Sequence, residues 1–124
     1  MLKVKIDNKE KFHFITLEEE QVAANMTEEL STLLSNYLDA PVKNVVINMQ
    51  QVKTLDMEAA EMLANIQQKF YDNNCSFVIC QLTTEVEKFL DEEELLEVMN
   101  VTLTESEAGD ILQMEEIERE LLGF

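Results

Sequence analysis

Asp56-Met57-Glu58-Ala59 stands where a loop gives way to a long amphipathic helix, with Thr54 two residues earlier. An Asp in that place accepts backbone amides at the helix start. An acid two residues further on, Glu58, is favoured by the positive end of the helix dipole. Met57 brings a large polarisable contact surface and no oxygen that could carry a transferred group. Thr54 is the nearest hydroxyl, although a Thr at a strand end is also simply a good β-former. The other groups that could do chemistry are dispersed. His13 is the only histidine and is far in sequence from Cys75 and Cys80. The two cysteines are five apart on one expected strand, so their side chains point to opposite faces about 16 Å apart. They cannot pair in that geometry, and buried free thiols are the reading. Asp91-Glu92-Glu93-Glu94 lacks the alternating ligands and mid-loop glycine of a calcium loop. Zinc, Walker and nucleophile-elbow spacings are absent.

The elements that position the tetrad follow from hydrophobic period. Leu2, Val4 and Ile6 alternate with Lys3, Lys5 and Asp7, and Phe12 to Leu17 makes a second strand, together a hairpin. Glu18 to Asn25 is polar connection or a frayed helix start. Asn25 and Glu28 offer a capping box. Leu30, Leu33, Leu34, Tyr37 and Leu38 then line one helix face until Pro41 ends it. Val45-Val46-Ile47 and Phe77-Val78-Ile79 are short unbroken apolar runs, as expected of strands covered on both sides. Between them Ala59, Met62, Leu63, Ile66 and Phe70 recur at helical spacing, and Asn73-Asn74 closes that helix.

Thr84 and Glu87 suggest a cap for a short helix carrying Val86, Phe89 and Leu90, followed by the acidic connection Asp91 to Glu94. Val98 to Thr104 reads as an edge strand. Glu105 to Leu122 reads as a last helix with Ile111, Met114, Ile117 and Leu121 inward, interrupted by Gly109. The order β-β-α-β-α-β-α-β-α predicts one α/β domain over residues 1–124, a mixed sheet of about five strands with about four helices.

The run from Val45 to Leu82, a buried strand, a loop entering a helix at Asp56, a polar turn and a second buried strand, resembles the STAS domain of bacterial anti-sigma factor antagonists. The resemblance covers nearly the whole chain and implies the same mixed-sheet architecture. The closing Met114 to Leu121 also looks like the tail of some bacterial members. In that family the tetrad usually reads Asp-Ser-Ser-Gly or Asp-Ser-Thr-Gly, and its first hydroxyl is a phosphorylation switch governing docking to an anti-sigma factor, often a kinase. Here Met57 occupies that place, Glu58 the second hydroxyl and Ala59 the glycine. Three readings stay open. Met57 is a contact residue of a constitutive binder; Glu58 is a fixed charge imitating a phosphorylated state; or the loop only caps the helix.

Composition narrows the partners. The net charge is −17, with −6 over residues 1–90 and −11 over residues 91–124, where Arg119 is the only base. Such a surface repels nucleic acid and anionic lipid and attracts basic protein. The start has no signal-like apolar run and no stretch of about 18 apolar residues occurs, so a cytoplasmic location is expected. The sequence therefore reads as a protein-binding regulator, not an enzyme, with no cofactor and no metal. Its partner would be an anti-sigma factor or kinase-like protein, met through Thr54, Asp56, Met57, Glu58, Ala59, Glu61 and Met62. The alternatives are a scaffold that binds through an acidic face, and a small carboxylate metal-binding protein or enzyme. The edge strand Leu2 to Asp7 leaves monomer or weak dimer open.

Overall fold

The computed structural model describes residues 2–123. Val4–Asn8 (β1) and His13–Leu17 (β2) form the expected antiparallel hairpin, with Ile6 opposite Ile15. The two-residue strand Gln21–Val22 (β3) and a 3-10 turn, Ala24–Met26, lead into Thr27–Ser35 (α1). That helix tightens into a second 3-10 turn over Asn36–Asp39 before Pro41. Val45–Asn48 (β4), Thr54–Leu55 (β5), Met57–Asp72 (α2) and Phe77–Cys80 (β6) form the central unit. Thr84–Glu92 (α3), Val101–Thr102 (β7) and Glu105–Leu122 (α4) complete the chain.

The main sheet has the order β1-β2-β4-β6-β7, antiparallel at β1/β2 and parallel from β2 onward. Each β-α-β step advances one strand in the same direction. Connections of one hand then put their helices on one face. Side-chain alternation divides the core accordingly. Ile15, Leu17, Val45, Ile47, Phe77 and Ile79 pack with Leu30, Leu34, Leu63, Phe70, Val86 and Leu90 of the first three helices. Phe14, Val46, Val78 and Cys80 face the other way, onto Ala108 and Leu112 of α4. Every residue of β4 and β6 is buried, which is why those strands read as continuous apolar runs.

Four expectations are corrected. Glu18 to Asn25 is neither coil nor frayed helix alone, because Gln21–Val22 pairs in parallel with Thr54–Leu55. Two residues are too few to show a period. Asn25 caps nothing: it lies inside the 3-10 turn, and neither Ala23 nor Met26 has a side-chain cap bond. The cap of α3 is Thr83, not Thr84. Its hydroxyl oxygen accepts from the Val86 amide at 3.4 Å and its O–H donates to the Val52 carbonyl at 2.7 Å.

The largest difference is in α4, whose bounds agree with the sequence reading and whose Ile111 packs on the core as expected, while the other three residues read as inward do not. Ala108 and Leu112 are buried, whereas Met114, Ile117 and Leu121 are 57%, 48% and 80% exposed. Further along, the inward face carries Glu115 and Arg119, bonded to Tyr71 near the end of α2 and to Ser76 just before β6.

Gly109 sits within α4 with open space around the position of an added Cβ. Gly109→Ala is therefore expected to stabilise the fold by about 1 kcal/mol, a rise of about 4 °C in Tm. Differential scanning calorimetry checks it. An unchanged or lowered Tm would mean that the backbone there is not regular helix.

Cys75 and Cys80 are free and buried. Burial, with the Glu105 carboxylate adding to it, pushes the Cys80 thiol up to about 12. A folded value raised above the ordinary 9.0 means this contribution is complete below that pH. It is lost as pH rises from there toward 12. The folded protein is thus expected to leave Cys80 unmodified by a disulfide reagent at pH 8, with full reaction in urea.

Candidate functional site

The tetrad lies at the carboxyl end of β4, reached through a loop with defined anchors. Asn48, buried at the end of the strand, accepts from the Gln50 amide at 2.8 Å and donates to the Gln81 side chain at 2.7 Å. The Val52 amide donates back to the Met49 carbonyl at 3.1 Å. Val52 itself is buried, and its carbonyl takes the Thr83 hydroxyl at 2.7 Å. These contacts fix the loop between the ends of β4 and β6.

The small β3/β5 ladder then fixes the far side. The amides of Lys53 and Thr54 both donate to the Glu20 carbonyl, at 2.6 and 3.1 Å, and the Asp56 amide donates to Val22 at 3.0 Å. Leu55 is turned into the core and Thr54 outward, the alternation expected of a strand. Lys53 and Glu20 add a solvent-exposed ion pair at 3.5 Å, which contributes little in water.

Asp56 occupies the N-cap position of α2 but does not cap it. Its carboxylate reaches across instead and accepts from the Ala24 amide at 2.9 Å. Only its main-chain carbonyl serves the helix, taking the Ala60 amide at 2.9 Å. The side chain thus ties the entry of α1 to the entry of α2. Sequence position identified the residue; its partner, 32 residues away, had no local signal.

Beyond this tie Met57 is 38% exposed. Glu58 and Glu61 are also exposed, and Thr54 lies beside them on the outer side of β5. The set expected from the sequence is narrowed here. Ala59 is fully buried and Met62 is 8% exposed, because both belong to the core-facing stripe of α2. The accessible members are Thr54, Met57, Glu58 and Glu61, with Asp56 half-buried behind them. A shallow groove of about 400 Å3 runs alongside, between the starts of α1 and α2, and includes Glu28, Ser31, Thr32 and Glu58. Its walls are acidic and hydroxylic.

The remaining chemistry-bearing residues are elsewhere. His13 Nε2 donates to the Val42 carbonyl at 2.7 Å, Nδ1 contacts the Asn8 side chain at 2.6 Å, and the ring packs on Tyr37. These contacts occupy both ring nitrogens. Among the described residues no three His, Cys, Asp or Glu side chains converge as a metal site, and no helix is long and apolar enough to cross a membrane. What this junction can do chemically is present an apolar, sulfur-containing contact and fixed negative charge from a rigid support.

Comparison with known proteins gives the same outline. The profile of the STAS domain matches residues 4–108, leaving most of α4 beyond the matched span. No curated protein matches. An anti-sigma factor antagonist from Mycobacterium paratuberculosis superposes with a TM-score of 0.78 at 11% identity, over 91% of this chain and 95% of that one. A serine-to-glutamate variant of RsbS from Moorella thermoacetica gives 0.73 at 21% identity, covering 90% and 95%. SpoIIAA of Bacillus in its unphosphorylated form gives 0.71 at 13% identity, covering 90% and 96%. At these identities the likeness is one of fold. The five-stranded mixed sheet, the four helices and the profile match together make this chain a member of the STAS domain family.

Proposed function

We propose that this STAS domain acts by binding another protein through the junction of β5 and α2, in the manner of an anti-sigma factor antagonist but without a phosphorylation switch at that junction. The partner is an anti-sigma factor or a kinase-like protein. One observation carries the reading: Met57 is 38% exposed at the first turn of α2, on a backbone held from both sides. An exposed methionine on a rigid support makes an adaptable contact, since its flexible thioether fits irregular apolar pockets. It offers no oxygen for a phosphoryl group, so contact there does not depend on modification. Thr54, exposed on β5, is the nearest hydroxyl and provides the internal control.

The test is incubation with anti-sigma kinases encoded in the same genome, with ATP and magnesium. A stable complex and an unmodified STAS chain are the expected result. Met57→Lys should weaken that complex at least tenfold while leaving the Tm within a degree or two, because the side chain is peripheral to the core. Phosphate on Thr54 would overturn the switchless reading. Failure to bind any of these kinases would overturn the anti-sigma assignment itself.

A further inference from the structure

We infer that the outward face of α4 is a second docking surface, built for a basic amphipathic helix of a partner protein. Met114, Ile117 and Leu121 follow at i, i+3 and i+7, the spacing of a helical contact stripe. The core does not use them. They are 57%, 48% and 80% exposed, while the opposite side of the helix is occupied by Ala108, Leu112, Glu115 and Arg119. Three large apolar side chains in line on one face are more than the scattered exposure normal for a protein surface.

Charge identifies the occupant. Residues 105–122 contain seven acids and one base. The base, Arg119, is turned inward and donates to the Ser76 hydroxyl at 2.8 Å. Glu107, Asp110, Glu118 and Glu120 are exposed around the stripe. Lys11 and Lys43 line a cavity with Glu116 and Glu120 along one flank of the helix. The outer face is therefore an apolar strip between acidic rims. A second copy would set acid against acid, and an anionic bilayer would be repelled. A helix with an apolar stripe and flanking Lys or Arg satisfies both the strip and the rims. This surface lies on the opposite side of the sheet from α1, α2 and α3, so it works independently of the Met57 junction.

The test uses two synthetic helical peptides with one leucine stripe, the first flanked by lysines and the second by glutamates, titrated into the full chain and followed by amide NMR. The lysine peptide is expected to bind with micromolar affinity, shifting amides of α4 and weakening at least tenfold between 50 and 500 mM salt. Ile117→Ser with Leu121→Ser should weaken it at least tenfold. Asn65→Ser, exposed on α2 across the sheet, should leave it unchanged. Since all three residues are exposed, folding is unaffected, and a thermal melt verifies that. Equal binding of the glutamate peptide, or lysine-peptide binding indifferent to the double substitution, would overturn the proposal. A concentration-dependent dimer abolished by the same substitutions would overturn it in favour of a second copy.

Discussion

Glu115→Ala will lower the stability of the folded protein by about 3 kcal/mol in urea unfolding at pH 7, and Glu115→Gln by about 1 kcal/mol. Glu115 projects from α4 toward the start of β6, where its carboxylate accepts from the Tyr71 hydroxyl at 2.8 and 3.1 Å and from the Ser76 hydroxyl at 2.5 Å. Arg119, one turn on, lies 4.0 Å away and donates to Ser76 at 2.8 Å. The Tyr71 oxygen in turn accepts from Asn100 at 2.5 Å. Alanine would leave the Tyr71 and Ser76 hydroxyls without their acceptor and Arg119 with Ser76 alone, and the cost of unpaired groups exceeds the net value of the bonds that joined them. The Glu115 and Arg119 side chains retain 26% and 16% exposure, so water offsets part of the loss and the effect stays at the lower end of that for a fully buried pair.

An alkaline signature accompanies it. Burial, and then the neighbouring Glu115, raise the Tyr71 hydroxyl above its ordinary 10.0. A raised folded value means the stability from this group is complete below that pH and is lost as the solution becomes more alkaline. Glu115→Gln should flatten the decline above pH 10 relative to the parent chain. A loss below 1 kcal/mol in Glu115→Ala, with an unchanged alkaline slope, would show that α4 is held by Ala108 and Leu112 alone.

The same cluster explains what could and could not be read from the sequence. β4, β6 and α2 were legible because apolar groups cover both faces of the two strands and one face of the helix, so run length and period suffice. In α4 two stripes compete. Met114, Ile117 and Leu121 outweigh Ala108 and Leu112 in hydrophobicity, yet the second pair faces the sheet. The decision is made by Ser76, Tyr71 and Asn44, which offer hydrogen bonds to Glu115, Arg119 and Glu116 from other elements. Hydrophobic periodicity contains no information about such partners. The β3/β5 ladder was hidden for a related reason, since its two-residue strands exist only because they meet each other. At the candidate site, the place and exposure of Met57 followed from the helix start. Ala59 and Met62 were assigned to the contact set although both stood on the apolar stripe of α2, and the stripe decides their place.

Asp56→Ala is expected to cost about 2 kcal/mol, and Asp56→Asn about 1 kcal/mol, because an ionised acceptor bonded to a partly buried amide contributes more than a neutral one. The geometry also predicts where the damage appears. Had Asp56 been an ordinary N-cap, its loss would loosen the free amides in the first turn of α2. Its carboxylate instead takes the Ala24 amide at 2.9 Å, and no side-chain bond to α2 exists. Hydrogen exchange should therefore accelerate at Ala24 and along the β3/β5 ladder, including Thr54 and the Asp56 amide that donates to Val22. The body of α2, anchored by Leu63, Ile66 and Phe70, should keep its protection. Faster exchange confined to the first turn of α2 would restore the capping role and remove the tether. Under the proposed function the tether has a further consequence. Met57 and Glu58 are unaltered in Asp56→Ala, yet their support moves, so binding to the partner should fall with them.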